Sequence, residues 1–214
     1  MSSLNSWEEV SLTEQLVSLH PWSDMARFAR TGGEACSVAV RIARAASGKD
    51  KVAFCGYHGW SDWYISSNVG DNGNLDDQLL PGLKPNGVPK NMQNTALPFS
   101  YNNLSELEDI VNRYPNEVGV IIMEPQRSEK PNLNFLQGVR DIATKIGAVL
   151  IFDEVTSGFR INHGGIHLIY GVNPDMAVFG KALGNGFPIS AILGKREVMK
   201  AAETSFISST FWTE

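Results

Sequence analysis

The chain has 214 residues, of which 43% are hydrophobic and 19% are charged, a composition typical of a globular protein with a sizeable core. It carries 18 Lys and Arg residues against 23 Asp and Glu residues, and this acidic balance argues against a nucleic-acid or anionic-membrane surface. No apolar stretch approaches the ~20 residues of a membrane span, the N-terminus lacks a signal-peptide pattern, and only two cysteines are present. These features predict a cytoplasmic protein without a disulfide framework.

The predicted elements alternate between helices and strands along the chain. Helices are predicted where apolar residues recur every three or four positions, and strands where four to six apolar residues follow one another, as in a parallel sheet covered on both faces. In chain order they are a helix at 35–46, a strand at 51–55, a helix at 104–111, a strand at 118–123, a helix at 139–146, and strands at 148–152 and 176–179. This alternation predicts an α/β fold, with a mostly parallel (mixed) sheet flanked by helices.

Local signals add detail between these elements. The stretch Ser105-Glu106-Leu107-Glu108 can form a capping box at the second helix, and Gly147 is expected to end the third. The segment 66–94 is rich in Asn, Gly, Asp and Pro and shows no sustained period. We expect it to be either a functional lid or a disordered insertion, and the sequence favours neither.

Reactive side chains follow the predicted strands directly. Tyr57 and His58 come after the first strand, Glu124 after the second, Asp153 after the third and Lys181 after the fourth. Ligands of open α/β sheets bind beyond the carboxyl ends of the strands, so these side chains are expected to share one edge. Each has an ordinary explanation by itself, such as a surface lysine or a loop aspartate, and their common position is the informative feature.

Two of these residues are candidates for catalysis. Lys181 lies among small residues at a strand exit, where desolvation would lower the pKa of its amine and favour Schiff-base chemistry. Asp153 is suited to keep the ring nitrogen of a pyridinium protonated. Val155 would face the same side and pack on a flat ring, while Tyr57 would stack on an aromatic ligand; both are otherwise ordinary core residues.

A glycine pair, Gly32 and Gly33, precedes the most amphipathic predicted helix. Adjacent glycines let a backbone approach a phosphate closely, and a helix N-terminus offers free N–H donors. The pair is a weak signal alone, because it lacks the ending of a phosphate loop and the three-glycine dinucleotide fingerprint. A nucleotide-binding α/β domain is therefore a disfavoured alternative.

Metal and serine-nucleophile sites are not predicted. The close Cys/His pairings, Cys55 with His58 and the pair at 163 and 167, have no matching second pair at zinc spacing. Ser157 has Val155 and Phe159 where a nucleophile elbow needs glycines.

Six motifs occur in the order found in class III aminotransferases. They are Thr31-Gly32-Gly33-Glu34-Ala35, Gly56-Tyr57-His58-Gly59, Glu124-Pro125, Asp153-Glu154-Val155 followed by Gly158-Phe159-Arg160, Gly180-Lys181-Ala182-Leu183-Gly184, and Ser209-Thr210-Phe211. Over residues 7–214 the chain resembles this family of pyridoxal-phosphate (PLP) enzymes of fold type I. Residues 86–90 and 97–102 are similar to the glutamate-1-semialdehyde 2,1-aminomutase branch.

The resemblance implies a cofactor, PLP, and roles for the motif residues. Lys181 would form the Schiff base and then act as the base at the substrate carbon. Asp153 would pair with the pyridinium nitrogen. Val155 and Tyr57 would pack on the two faces of the ring.

The same resemblance implies how the phosphate is bound and how subunits associate. Gly32 and Gly33 would offer backbone N–H groups to the phosphate, and Thr210 would reach the phosphate of a neighbouring subunit, which implies a homodimer with shared active sites. Glu124 and His58 would lie near the site without an assigned role. The implied partners are a small-molecule amino donor and acceptor.

The resemblance also implies that residues 1–214 are the PLP-binding large domain, without the family's N-terminal segment and C-terminal small domain. One motif departs from the family, since Thr31-Gly32-Gly33 stands where Ser-Gly-Thr is usual and one hydroxyl is lost. The sequence thus predicts a PLP-dependent aminotransferase or aminomutase, or its core, with a chain that only binds or dimerises as the alternative. In an aminomutase, the segment 66–94 is the expected place for a lid.

Overall fold

The computed structural model describes residues 5–70 and 73–208, and these residues form one mixed sheet with helices on both faces. The strands are β1 (Met25–Ala29), β2 (Lys51–Cys55), β3 (Ala96–Pro98), β4 (Val118–Met123), β5 (Val149–Asp153), β6 (Met176–Phe179) and β7 (Ser190–Gly194). Their order across the sheet is β1-β7-β6-β5-β4-β2-β3. Strands β2 to β6 pair in parallel, and β7 runs antiparallel between β6 and β1. The predicted mostly parallel α/β fold is confirmed.

Seven α-helices accompany the strands in the described residues. They are α1 (Trp7–Leu19), α2 (Gly32–Ser47), α3 (Asp62–Ile65), α4 (Leu104–Arg113), α5 (Phe135–Ile146), α6 (His167–Tyr170) and α7 (Arg196–Met199). Short 3₁₀ turns occupy Ser66–Asn68, Lys90–Met92, Lys181–Leu183 and Lys200–Thr204. The three predicted helices correspond to α2, α4 and α5, and the four predicted strands to β2, β4, β5 and β6. No helix in the described part of the chain is both long and apolar enough to cross a bilayer.

The sheet separates two apolar cores, because alternate residues of each strand point to opposite faces. In β2, Val52 and Phe54 belong to the core that contains α2. Ala53 and Cys55 of the same strand belong to the core built by α4 and α5. A smaller cluster joins Leu16 of α1 to β1, β6 and β7. This double covering explains why the central strands have uninterrupted apolar sequences.

The helix ends follow local side-chain chemistry. Helix α2 is capped by Thr31, whose hydroxyl accepts from the Glu34 N–H at 3.2 Å, and α5 ends at Gly147 in the left-handed conformation, as predicted. The capping box predicted at Ser105 is wrong. Helix α4 begins earlier, because Asn103 is its N-cap and its side-chain oxygen accepts from the Glu106 N–H.

The described part of the segment 66–94 is an irregular loop packed onto the domain. Leu75 is fully buried, and the Asn68 side chain bridges the loop by donating to the Leu83 carbonyl at 2.7 Å and accepting from the Leu75 N–H at 3.0 Å. The Gln78 side chain accepts from the Gly56 N–H at 2.7 Å. For these residues the alternative of a disordered insertion is wrong, and the loop lies against the segment that follows β2.

Candidate active site

A cavity of about 350 Å³ lies where the carboxyl end of β5 meets the N-terminus of α2. The residues of predicted function that line it are Gly32, Gly33, Tyr57, His58, Asp153, Val155 and Lys181, together with Thr31, Cys36, Gly59, Trp60 and Thr156. The amine of Lys181 and the carboxylate of Asp153 thus belong to one cavity. The predicted residue Thr210 lies outside the described residues.

The carboxylate of Asp153 is held at the end of β5 by three donors. Its Oδ1 accepts from the Val155 N–H at 3.0 Å. Its Oδ2 lies 2.7 Å from Nδ1 of His58 and 3.4 Å from Sγ of Cys36. The side chain is buried, so these contacts fix its orientation and leave Oδ1 with a free accepting position.

The His58 ring joins this carboxylate to the backbone. Its Nε2 lies 3.1 Å from the Cys55 carbonyl. Since a carbonyl can only accept, Nε2 carries a hydrogen, and one further proton is shared between Nδ1 and the Asp153 carboxylate. The His58–Asp153 pair is therefore neutral overall, even though both side chains are buried. His58 supports Asp153, which is a role the sequence left open.

Cys36 was not predicted as a site residue. It lies one helical turn after Gly32 on α2 and its thiol donates to Asp153. Burial, followed by the nearby charge of Asp153, raises the pKa of this thiol well above its usual range, so it stays protonated. A signal was present in the sequence, because residues four apart on a helix share a face.

The start of α2 combines free backbone donors with close packing. The N–H groups of Gly32 and Gly33 belong to the first turn, where no acceptor is available within the helix. A Cβ atom on Gly32 would lie 2.8 Å from Cγ1 of Val155, and one on Gly59, which has φ +101°, would lie 2.8 Å from the Gly33 Cα atom. Packing therefore requires glycine at positions 32 and 59, while Gly33 would meet ordinary contacts.

Lys181 begins a 3₁₀ turn directly after β6 and has an unusual backbone conformation. Its φ is +42°, in the left-handed region that costs a non-glycine residue about 1 kcal/mol or more. Its Nζ donates to the Thr156 hydroxyl at 3.0 Å, and Thr156 follows the Asp153 strand end in sequence. A lysine kept in a strained position at the mouth of a cavity is typical of functional sites.

Glu124 lies at the expected edge of the sheet, directly after the parallel strand β4, but its side chain does not line this cavity. It lines a second cavity of about 240 Å³ with Gln78, Tyr101 and Arg127 among its walls. Its Oε2 accepts from the Tyr57 N–H at 3.3 Å. The carboxylate therefore contacts the backbone of Tyr57 and lines the second cavity instead of the first. Burial raises the pKa of Glu124 above its usual range.

A buried network stands directly behind Asp153. The next residue, Glu154, is fully buried, and its carboxylate accepts from the Ile166 N–H at 3.0 Å, the His167 N–H at 2.9 Å and Nδ1 of His167 at 2.7 Å. The Ser157 hydroxyl donates to the same carboxylate. The indole of Trp22 donates to Nε2 of His167 at 3.0 Å, which leaves the His167 hydrogen on Nδ1. This network anchors the turn that follows Asp153.

Comparison with known proteins agrees with this geometry. The family model of class III aminotransferases matches residues 1–214. The chain belongs to this family.

Relatives of this class III aminotransferase chain share about a third of its sequence. The 3-aminobutyryl-CoA aminotransferase of Cloacimonas acidaminovorans (strain Evry) is 35% identical over 217 residues, covering 98% of this chain and 48% of that protein. The glutamate-1-semialdehyde 2,1-aminomutase of Legionella pneumophila (strain Paris) is 36% identical over 197 residues, covering 89% of this chain and 45% of that protein. The chain thus spans about half the length of the curated relatives it matches.

A solved structure supports the fold of the class III chain. The FumI protein of Sphingopyxis sp. MTA144, solved in its PLP internal aldimine form, superposes with a TM-score of 0.81 at 28% identity, covering 97% of this chain and 48% of that protein. The likeness agrees with the mostly parallel α/β fold that the sequence predicted.

Proposed function

We propose that residues 1–214 form the PLP-binding large domain of an enzyme that transfers amino groups. The observation that carries the proposal is that Lys181 and Asp153 line one cavity with the N-terminus of α2. A nucleophilic amine, an acid for a ring nitrogen and a set of backbone donors are the three elements that PLP chemistry requires.

The cavity fits PLP on its own donor set. Asp153 keeps a free accepting position at Oδ1, which suits a protonated ring nitrogen. The first-turn N–H groups of Gly32 and Gly33 and the dipole of the 16-residue α2 suit a phosphate. Val155 and Tyr57 are half-buried at the same cavity and offer apolar surface for the two faces of a flat ring.

Each side chain would then have a defined task. Bound PLP supplies an electron sink that makes a proton next to an amine removable. Asp153 keeps that sink protonated, and the proton of the His58–Asp153 pair can reside on His58 so that Asp153 stays anionic although buried. Lys181 holds and moves the proton at the substrate carbon, and the Thr156 hydroxyl orients its amine.

The substrate class is proposed from the relatives, and it is broad because those relatives catalyse different reactions. Their names describe one aminotransferase and one aminomutase. The first kind of enzyme moves an amino group between two molecules, and the second moves it between two positions of one molecule. We propose amino-group transfer of this general kind, with an aminomutase as the narrower form. The loop of residues 66–94, whose described part packs onto the domain, would then be the lid that retains the intermediate. A homodimer would contribute Thr210 of one subunit to the other's site.

The decisive experiment asks whether Lys181 carries the cofactor. Purified chain is mixed with PLP, the visible absorption is recorded, and borohydride is added to make the attachment permanent. We expect peptide mapping to find the label on Lys181, no label in Lys181→Ala, and unchanged labelling in the control Lys90→Ala, whose side chain is exposed. Label on a different lysine would overturn the assignment.

A second measurement separates catalysis from binding alone. Amino donors, including glutamate 1-semialdehyde and 3-aminobutyryl-CoA, are offered in turn, and the change of the visible spectrum is followed. A donor that discharges the band supports amino-group transfer. Stable labelling of Lys181 with no response to any donor would favour the alternative, a chain that binds PLP without turnover.

A further inference from the structure

We propose that the cofactor-free cavity also binds a zinc-type divalent cation, through Cys36, His58 and Asp153. These three residues are the group of potential metal-binding side chains found among the described residues, and one ligand atom from each lies within 4.8 Å of the others. Close sequence pairings do not reveal this cluster, because Cys36 and Asp153 are 117 positions apart.

The distances from Asp153 Oδ2 to the other two donors are close to those that a zinc site requires. Zinc bonds of about 2.0–2.3 Å at tetrahedral angles place ligand atoms about 3.3–3.6 Å apart. The distance of 3.4 Å from Cys36 Sγ to Asp153 Oδ2 satisfies this spacing. The 2.7 Å between His58 Nδ1 and the same oxygen must widen by about 0.6 Å, which a small rotation of either ring or carboxylate provides.

The surroundings also have the features of a metal centre. All three side chains are buried, and they come from different elements: α2, the segment after β2, and the end of β5. All three line the same cavity, so a water can take the fourth position from the open side. Sites with three protein ligands and one open position are typical of zinc outside purely structural centres.

The second ring nitrogen of His58 provides independent support. A histidine that ligates a metal commonly donates its other N–H to a backbone carbonyl or a carboxylate, which fixes the tautomer and aims the ring. Nε2 of His58 lies 3.1 Å from the Cys55 carbonyl. The ring is therefore held with Nδ1 directed at Asp153 and within 4.8 Å of the Cys36 sulfur.

Charge balance removes one cost of placing a cation in a buried site. Before binding, the Cys36 thiol is neutral and the His58–Asp153 pair is neutral. A divalent cation displaces two protons to solvent, one from the thiol and one shared by the pair, and leaves a thiolate, a neutral imidazole and a carboxylate around the metal. The cluster is neutral before and after, so no net charge is added to the interior.

Occupation by the cation and by PLP would exclude each other. This consequence rests on the proposed function, in which Asp153 pairs with the ring nitrogen of PLP. The cation would hold the same carboxylate and occupy part of the same cavity. Zinc would then block cofactor loading, and the cofactor would protect the thiol of Cys36.

The test uses Co²⁺ as a spectroscopic probe of the cofactor-free chain. We expect a thiolate-to-cobalt charge-transfer band and tetrahedral ligand-field bands that saturate at one cation per chain. The charge-transfer band should vanish in Cys36→Ser and persist in Cys55→Ser, since Cys55 is an equally buried cysteine outside the cluster. Circular dichroism and thermal melting establish that each variant is folded, and Cys36→Ala serves as a second variant. A missing band, or one that survives in both Cys36 variants, overturns the proposal.

Calorimetry and competition complete the test. Titration with Zn²⁺ in two buffers of different ionisation enthalpy should give about two protons released per cation, and release near zero contradicts the site. Prior loading with PLP should suppress the cobalt band, and an unaffected band contradicts the overlap. If PLP labels Lys181 but Co²⁺ gives no band, the metal site fails alone. If Co²⁺ binds and PLP labels no Lys181, the proposed function fails alone.

Discussion

Gly32 and Val155 are in such close contact that a Cβ atom built on Gly32 would lie 2.8 Å from Cγ1 of Val155. Both residues line the cavity. The first turn of α2 therefore packs directly on Val155, the side chain that would support one face of the PLP ring. A side chain at position 32 must displace either Val155 or the start of the helix.

We therefore expect Gly32→Ala to weaken PLP binding about tenfold, since overpacking of this kind costs about 1–3 kcal/mol. Gly33→Ala is the matched control, because a Cβ atom there would lie 3.5 Å from the Gly59 Cα atom, which is an ordinary contact. The double variant Gly32→Ala/Val155→Ala should recover part of the affinity, because the clash is removed while the contact of Val155 with the ring is also lost. Absorbance titration with PLP measures all three, and equal affinities for the two single variants would contradict this account.

A second prediction concerns the proton shared by His58 and Asp153. Gln at position 58 can still donate to Asp153 but cannot carry a charge, so a buried Asp153 anion would lose its compensating partner. We expect His58→Gln to lower PLP affinity about tenfold or more. The control is His163→Gln, because His163 is exposed and outside the cavity.

The measurement for His58 is again a PLP titration, accompanied by a thermal melt of each variant. The melt distinguishes a folding defect from a change in the site. Affinity that is equal in His58→Gln and in the wild-type chain would show that the His58–Asp153 contact does not support cofactor binding.

The central sheet was predictable because burial on both faces leaves a plain record in the sequence. Strands β2, β4, β5 and β6 are covered by helices on both sides and are apolar except for Lys51 and Asp153 at their ends. The edge strand β1 was missed because Arg27 interrupts it, and the guanidinium reaches out to the Ile207 carbonyl at 2.7 Å. Helix α1 was missed because only Leu16 of its residues is buried, so the apolar stripe is too weak to recognise.

The sequence predicted those site residues that belong to short motifs. Position after a strand was enough to bring Lys181 and Asp153 to one cavity, but the direction of a side chain depends on tertiary contacts. Glu124 illustrates this, because its contact with the Tyr57 backbone directs it into a different cavity. Cys36 belongs to the cavity although no short motif contains it, because its partner Asp153 is far away in sequence.

A third prediction tests the buried network behind Asp153. In Glu154→Gln, the amide NH₂ replaces an oxygen that accepts hydrogen bonds, so at least one of the donors from Ile166 or His167 loses its partner in the interior. An unsatisfied buried donor beside a lost charge costs about 2–4 kcal/mol. We expect the free energy of unfolding to fall by that amount in urea titrations.

The control for Glu154 is an exposed glutamate of α1. Glu14→Gln changes the same chemical group on the surface, where substitutions usually stay within about 0.5 kcal/mol. Comparable losses in both variants would mean that the network around Glu154 does not anchor the turn.

The last prediction concerns the stability of the domain at low pH. Asp175 precedes β6 and accepts from Nζ of Lys195 at 2.7 Å, from the Arg140 guanidinium at 2.8 Å and from the Leu150 N–H at 2.9 Å. Burial alone would raise the pKa of this carboxyl, but the three donors outweigh it and hold the pKa below the ordinary 3.8. The ionised carboxylate thus ties α5, β5 and the end of β7 together, and its two contacts with cations weaken when it is protonated.

Since the folded-state pKa of Asp175 is depressed, its stabilisation is fully present above the ordinary value and is lost as the pH falls through the folded-state value. Asp175→Asn should lower the free energy of unfolding by about 2–3 kcal/mol near neutral pH, and its difference from the wild-type chain should shrink below about pH 4. The control is Glu117→Gln, which removes an exposed ion pair with Lys51 and should change stability by less than about 1 kcal/mol. Urea unfolding across the pH range measures this, and a difference that stays constant or grows in acid would show that the Asp175 contacts do not depend on its charge.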